Sequence, residues 1–209
     1  MMTAITAFSS AGLDNLESGN PVALLLHGYG ADERDLLGIM SSLPDLAWVS
    51  PRAPEKTQAG GWGWYETVDP LNPSKEELLE ATATLWAWID SSLPEGSPLV
   101  VIGFSQGGLM ATQLLRTRPG RILATGILAG FVGQGSMPAD EELLALKPKV
   151  FYGRGAEDMA ITRDAVASLN GWLQSHTRAV TKTYSGLGHS IDQRVLQDLA
   201  KYLEPFLDG

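Results

Sequence analysis

The sequence predicts an α/β fold with a mostly parallel central sheet and helices on both of its faces. Apolar runs alternate along the chain with amphipathic helical segments, which is typical of parallel sheets that are covered on both sides. One such run, 99–102, leads directly into a serine flanked by glycines and then into a helical segment. The 209 residues, 44% of them hydrophobic, can bury one sizeable core. We therefore expect a single domain over residues 1–209.

The apolar runs themselves are the predicted strands, at 22–26, 46–50, 99–102, 122–129, 149–152 and 179–184. Ser74 and Glu77 have the spacing of a capping box, in which each side chain accepts a hydrogen bond from the other residue's backbone N–H. This pattern predicts a helix that begins after Ser74 and continues to Leu93. Apolar residues at helical spacing from Ile191 to Phe206 predict another helix near the end of the chain.

The segment Gly103-Phe104-Ser105-Gln106-Gly107 matches the pattern G-x-S-x-G and follows a predicted strand. Small residues on both sides of a serine permit a sharp turn from strand to helix, called a nucleophile elbow, which holds the hydroxyl out at the edge of the sheet. The alternative is a serine in an ordinary glycine-rich turn. The position between strand and helix favours Ser105 as a nucleophile.

A serine hydroxyl is a poor nucleophile at neutral pH and needs a base, which a histidine can supply. The chain contains three histidines. His189 lies in a glycine-containing loop after a predicted strand, where a general base would reach the edge of the sheet. His176 ends a helical run and is expected to face solvent, and His27 is expected to brace a turn. His189 is therefore the predicted base.

A carboxylate that orients the base should follow the serine and precede the histidine in this kind of fold. Asp158 stands where the predicted strand 149–152 gives way to a loop, ahead of a helix that Thr162 could cap. Glu157 is the neighbouring competitor, and Asp164 is expected in the first turn of that helix, where it favours the helix dipole. An isolated aspartate in such a loop can also be a simple turn residue. The chain order favours Asp158 as the acid.

Four motifs together make the resemblance specific: 27–32 (HGYGAD), 103–108 (GFSQGG), 155–158 (GAED) and 188–190 (GHS). In this order and rough spacing they resemble the phospholipase/carboxylesterase family of α/β-hydrolases, which includes acyl-protein thioesterases. The resemblance spans about residues 20 to 207. It implies an α/β-hydrolase fold without a large cap domain and a serine esterase that acts on acyl esters or thioesters.

The same resemblance implies roles for individual residues. Ser105 would be the nucleophile, Asp158 the acid and His189 the base. The backbone amides of Tyr29 and Gln106 would form the oxyanion hole. The sequence departs from the family at Arg154, where a histidine is usual, and at Met159, where proline is usual. The second departure bears on the shape of the acyl pocket.

Two long connections are expected to determine specificity. The first, 51–73, carries Trp62 and Trp64 among glycines, and these side chains either line an apolar acyl pocket or anchor the loop to the core. The second, 131–148, carries Phe131 and could form a small flap. We predict that Trp62, Trp64, Phe131 and Met159 frame a hydrophobic groove for short to medium acyl chains.

Composition excludes other classes of function. A formal net charge of −9 argues against nucleic-acid binding. The absence of cysteine excludes disulfides and thiolate metal sites, and no metal or cofactor is expected. No apolar stretch approaches the roughly 20 residues that span a bilayer. The amino terminus lacks the features of a secretory signal, so a cytoplasmic location is expected.

The predicted partner is a small-molecule acyl ester, and the sequence gives no sign of oligomeric state. Two alternatives remain at this point. The chain could be a ligand-binding protein on a hydrolase scaffold with little turnover, or a serine peptidase on the same fold. Fold alone does not decide between them, because one scaffold hosts many chemistries.

Overall fold

The computed structural model describes residues 5–58, 60–65, 67 and 69–207, and a seven-stranded sheet is its central feature. The strands of this sheet are β1 (Ala7–Ser9), β2 (Val22–Leu26), β3 (Ala47–Pro51), β6 (Leu99–Phe104), β7 (Ile122–Leu128), β8 (Lys149–Gly155) and β9 (Arg178–Tyr184). Their order is β1-β3-β2-β6-β7-β8-β9. Only β1 pairs antiparallel in this sheet, so the prediction of a mostly parallel sheet is confirmed.

Helices cover both faces of the sheet, as predicted. They are α1 (Lys75–Ser92), α2 (Gln106–Leu115), α3 (Asp140–Leu146), α4 (Arg163–His176) and α5 (Gln193–Leu207). α1 to α4 share apolar clusters on one face, whereas α5 and the short helix Leu37–Ser42 pack on the other. Within the described ranges, none of the helices combines the length and the apolar character that a membrane span requires.

The sequence patterns that predicted the ends of two helices are confirmed. Ser74 N–H donates to the Glu77 carboxylate at 2.6 Å, and Glu77 N–H donates to Ser74 Oγ at 3.2 Å, which completes the capping box of α1. Thr162 Oγ1 accepts a hydrogen bond from Ala165 N–H and caps α4. These caps satisfy backbone donors that the first turn of a helix leaves free.

The parallel register brings the functional loops to one edge of the sheet. Leu26 at the end of β2 pairs with Gly103, and Gly103 pairs with Ile127 in β7. The strand ends are therefore aligned, and the loops that follow β2, β6 and β8 leave from the same carboxyl edge. Ligands bind at this edge in open α/β sheets.

Both long connections contain structure that the sequence did not predict. The first includes a hairpin formed by β4 (Glu55–Lys56) and β5 (Trp62–Gly63), and β1 was also not predicted. The second connection includes α3, and Phe131 and Met137, which precede this helix, are buried. The amino-terminal prediction rests partly on residues 1–4, which lie outside the described residues.

A buried arginine holds the second connection in place. The Arg116 guanidinium donates to both Asp140 carboxylate oxygens at 2.8 and 2.7 Å. It also donates to the carbonyl oxygens of Gly133 and Gly135 at 2.9 and 2.7 Å. Burial alone would raise the pKa of Asp140, but the hydrogen bonds and charge of Arg116 outweigh it and lower that pKa. The connection is thus tied to the end of α2.

Candidate active site

Ser105 occupies the turn between β6 and α2, at the carboxyl edge of the sheet. Its φ of 54° and ψ of −115° lie in a region that residues other than glycine rarely adopt. Ser105 N–H donates to the Leu128 carbonyl at 2.9 Å, and the Ser105 carbonyl accepts from Leu109 N–H at 3.1 Å. A Cβ at Gly107 would lie 1.9 Å from the Leu26 carbonyl oxygen, so only glycine lets the helix start this close to β2. The sharp strand-to-helix turn predicted from the motif is present.

His189 and Asp158 form a hydrogen-bonded pair. The distance between His189 Nδ1 and Asp158 Oδ2 is 2.8 Å, and the Asp158 side chain is only 1% exposed. Asp158 Oδ1 accepts from the backbone N–H groups of Ala160 and Ile161 at 2.9 and 3.1 Å. With the Asp158 carboxylate as acceptor, His189 Nδ1 carries the ring proton and Nε2 carries the lone pair.

The imidazole of His189 lies beside the elbow. Its ring centroid is 4.8 Å from that of Phe104, the residue immediately before Ser105, with the two planes inclined by 40°. The His189 side chain remains 25% exposed. The imidazole is therefore held by Asp158 on one side and packs on the aromatic ring of Phe104, with part of its surface exposed.

The neighbouring carboxylate, Glu157, has a different partner. Glu157 Oε1 accepts a hydrogen bond from Gly186 N–H at 3.1 Å. Its backbone N–H donates to the Leu187 carbonyl at 3.0 Å. Glu157 thus fastens the loop that carries His189, whereas Asp158 contacts the imidazole itself.

The amides of Tyr29 and Gln106 come from two elements that meet at the elbow. Gln106 N–H lies in the first turn of α2, where backbone donors have no partner within the helix. The loop after β2 lies against Ser105, since a methyl group at Gly28 would be 3.4 Å from Ser105 Cβ. Within the described part of the chain, neither amide has a hydrogen-bond acceptor.

His27 supports the loop after β2 through two hydrogen bonds, as predicted. It is fully buried, and its Nε2 accepts from Ala53 N–H at 3.0 Å. Nδ1 therefore carries the proton and donates to the Gly28 carbonyl at 2.8 Å. Because Nε2 accepts a hydrogen bond, the ring is neutral, and burial lowers the pKa of His27. The remaining histidine, His176, is partly buried at the end of α4 and stacks on Trp172.

The four residues proposed to bind substrate lie in different environments. Trp64 is 2% exposed and Phe131 is 1% exposed, so both belong to the core. Trp62 is partly buried under the Arg52 guanidinium, which lies 4.2 Å from the ring centroid. Met159, next to Asp158 in the chain, is 92% exposed. The burial of Trp64 supports the alternative in which this side chain anchors the loop. The substrate-binding role of the four residues stays a prediction.

Over the residues that the structure describes, no group of three or more histidine, aspartate or glutamate side chains is arranged to hold a metal ion. The chemistry available at this edge is that of a hydroxyl, an imidazole, a carboxylate and free backbone amides.

A serine elbow and a histidine–aspartate pair at the carboxyl edge of a mostly parallel sheet are the arrangement of an α/β-hydrolase. Solved structures agree on this fold. A carboxylesterase from Bacillus cereus, 18% identical, superposes with a TM-score of 0.77 over 97% of this chain and 94% of that one. A carboxylesterase from Mesorhizobium loti, 21% identical, gives 0.74 over 92% and 91%.

The family is also clear from the sequence. The profile of the phospholipase/carboxylesterase family matches residues 16–207, and the chain belongs to that family and is an ester hydrolase. It is 27% identical to the probable carboxylesterase SOBER1-like of Arabidopsis thaliana, over 94% of this chain and 83% of that protein. It is 25% identical to the esterase YpfH of Escherichia coli, over 83% and 78%.

Proposed function

We propose that the protein is a serine carboxylesterase that hydrolyses acyl esters through Ser105, His189 and Asp158. The observation that carries this proposal is the 2.8 Å hydrogen bond between Asp158 and His189 Nδ1, with the same imidazole packed on the residue that precedes Ser105. The strained backbone of Ser105 supports it, because strain of this kind accumulates at active sites.

In the first half of the reaction, His189 Nε2 takes the proton of the Ser105 hydroxyl while Oγ attacks the acyl carbonyl carbon. Asp158 holds the imidazole in the required tautomer and stabilises its positive charge. The tetrahedral intermediate then expels the alkoxide, which takes the proton from His189 and leaves as the alcohol. An acyl ester on Ser105 remains.

In the second half, a water molecule gives one proton to His189 and attacks the acyl-serine. The second tetrahedral intermediate releases the carboxylic acid, and Ser105 Oγ regains its proton from the imidazole. Each intermediate carries a negative oxygen. Tyr29 N–H and Gln106 N–H supply the two donors for it, and Gln106 adds the positive end of the α2 dipole.

The proposed substrates are small acyl esters, with thioesters and lysophospholipids as the finer possibilities within the same chemistry. The exposed side chains of Met159 and Tyr29 offer apolar surface beside the proposed catalytic groups. This supports an open groove for short to medium acyl chains rather than a closed tunnel. The cytoplasmic location expected from the sequence stays a prediction.

The test is hydrolysis of p-nitrophenyl esters, from acetate to palmitate, by the wild type and by Ser105→Ala. We expect wild-type turnover to be greatest with short to medium chains and to fall on the order of 10⁶-fold without the nucleophile. A Ser105→Ala variant that keeps more than about 1% of the activity would disprove the assignment of the nucleophile. Equal rates across all chain lengths would argue against the groove.

A further inference from the structure

The two oxyanion donors of the proposed esterase belong to separate elements, so a third part of the chain must fix the distance between them. Tyr29 lies in the loop after β2, and Gln106 begins α2. An oxyanion-hole donor is effective only when it lies about 2.7–3.1 Å from the developing negative oxygen. The segment 60–65, which contains β5, contacts both elements.

Trp64 connects the two elements through two hydrogen bonds. Its backbone N–H donates to Gln106 Oε1 at 2.9 Å, and its indole Nε1–H donates to the His27 carbonyl at 2.9 Å. Both Trp64 and Gln106 are buried, so water does not compete for these bonds. His27 is two residues before Tyr29. One residue therefore links the start of α2, through its backbone, to the base of the loop that carries the other donor, through its indole.

The remainder of the segment holds the same loop from outside. Gly30 N–H donates to the Trp62 carbonyl at 2.8 Å, and Trp62 N–H donates to the Ala31 carbonyl at 2.9 Å. A Cβ at Gly61 would lie 1.9 Å from the Gly30 carbonyl oxygen, so the two backbones are in direct contact. Bonds therefore flank Tyr29 on both sides along the chain.

We propose that residues 60–65 form an oxyanion bracket, in which Trp64 and the Gln106 side chain are positioning residues that set the distance between the Tyr29 and Gln106 amides. This inference rests on the proposed function. It gives Trp64 a role that neither pocket lining nor simple anchoring includes, because loss of the bracket should weaken transition-state binding while the substrate ground state still binds.

The experiment compares Trp64→Phe, Gln106→Met and the double variant with a matched control, Trp86→Phe. Trp86 is also buried, and its indole N–H also donates one hydrogen bond, to Thr117 Oγ1 at 2.8 Å, but it lies on α1. Each protein is assayed for kcat, KM and melting temperature. The inhibition constant of a trifluoromethyl ketone, which adds Ser105 Oγ and forms an oxyanion, is measured in parallel.

We expect Trp64→Phe and Gln106→Met each to lower kcat about 10- to 100-fold, since a misplacement of about 1 Å can cost 10²-fold. KM should change little, and the inhibition constant of the ketone should rise by the factor by which kcat/KM falls. Because both hydrogen bonds are needed to hold the same distance, kcat of the double variant should be no lower than that of the more impaired single variant. Trp86→Phe should lose stability and keep its kcat.

Three results would overturn the bracket. They are wild-type kcat in both single variants, additive losses in the double variant, or equal losses in kcat for Trp64→Phe and Trp86→Phe. If the proposed function itself were wrong, the wild type would show no Ser105-dependent turnover. The two failures are therefore distinguishable.

Discussion

The substitution Asp158→Asn tests the role proposed for the acid, because the hydrogen bonds that the carboxylate accepts determine the orientation of the asparagine amide. Asp158 accepts two backbone N–H groups at Oδ1 and the His189 Nδ1–H at Oδ2. An asparagine offers only one oxygen. If its NH₂ replaced Oδ1, the backbone N–H groups of Ala160 and Ile161 would face a donor, at about 1–3 kcal/mol for the buried Ile161 N–H.

The amide oxygen therefore keeps the Oδ1 position, and the NH₂ group faces His189. This forces His189 Nδ1 to accept, which moves the ring proton to Nε2 and leaves no base for Ser105. The equivalent tautomer change in a serine protease triad lowers kcat about 10⁴-fold. We expect a loss of that order, with little change in KM or melting temperature because the fold keeps both backbone bonds.

The assay is p-nitrophenyl acetate hydrolysis, with Glu157→Gln as the matched control. The Glu157 carboxylate accepts Gly186 N–H, and the glutamine oxygen can keep that bond. The control should therefore stay within about twofold of the wild type, since neutral surface changes rarely affect the site. A fall in kcat of less than about tenfold in Asp158→Asn, or an equal fall in Glu157→Gln, would refute the reasoning.

Three further predictions follow from other contacts. Gly61→Ala should lower kcat/KM at least about tenfold, because the added methyl group would displace the bracket from the loop that carries Tyr29. Gly19 has a similar positive φ but open space around it, so Gly19→Ala should leave kcat/KM unchanged. Equal losses in the two variants would contradict this. Arg116→Met should lower the free energy of unfolding in urea by about 3–5 kcal/mol, because it leaves the Asp140 carboxylate without its partner; a change below about 1 kcal/mol would contradict the pinned connection. Burial lowers the folded-state pKa of His27 below its ordinary value of 6.5, so the unfolded chain takes up that proton first and stability should decline as the pH falls below 6.5. His27→Gln should flatten this decline in urea titrations between about pH 7 and pH 5, and an unchanged slope would assign it to another group.

The core strands were predictable because strands buried on both faces are continuous apolar runs. All five residues of β2 are buried, and the run 22–26 matches the strand. The first connection was harder. β4 and β5 have only two residues each, which is too short for any periodic pattern, and β1 is a three-residue edge strand with an exposed phenylalanine.

The sequence indicates candidate site residues by their type and order, but it does not indicate their contacts. Glu157 and Asp158 both lie between Ser105 and His189 in the chain. The structure separates them by the direction of each side chain, since Asp158 contacts His189 and Glu157 accepts from Gly186. Arg116 stands at the end of a helix beside other polar residues, where sequence favours a solvent-facing role. The loop carbonyls that it binds are 17 and 19 residues away.

The central claim is that the hydroxyl at 105 is activated by the imidazole at 189, and labelling with a fluorophosphonate probe measures this most directly. Intact-mass spectrometry of the wild type should show stoichiometric addition of a single probe, and peptide mapping should locate it on Ser105. His189→Ala should remain unlabelled over the same time. Modification of a different serine, or equally fast labelling without the imidazole, would contradict the account.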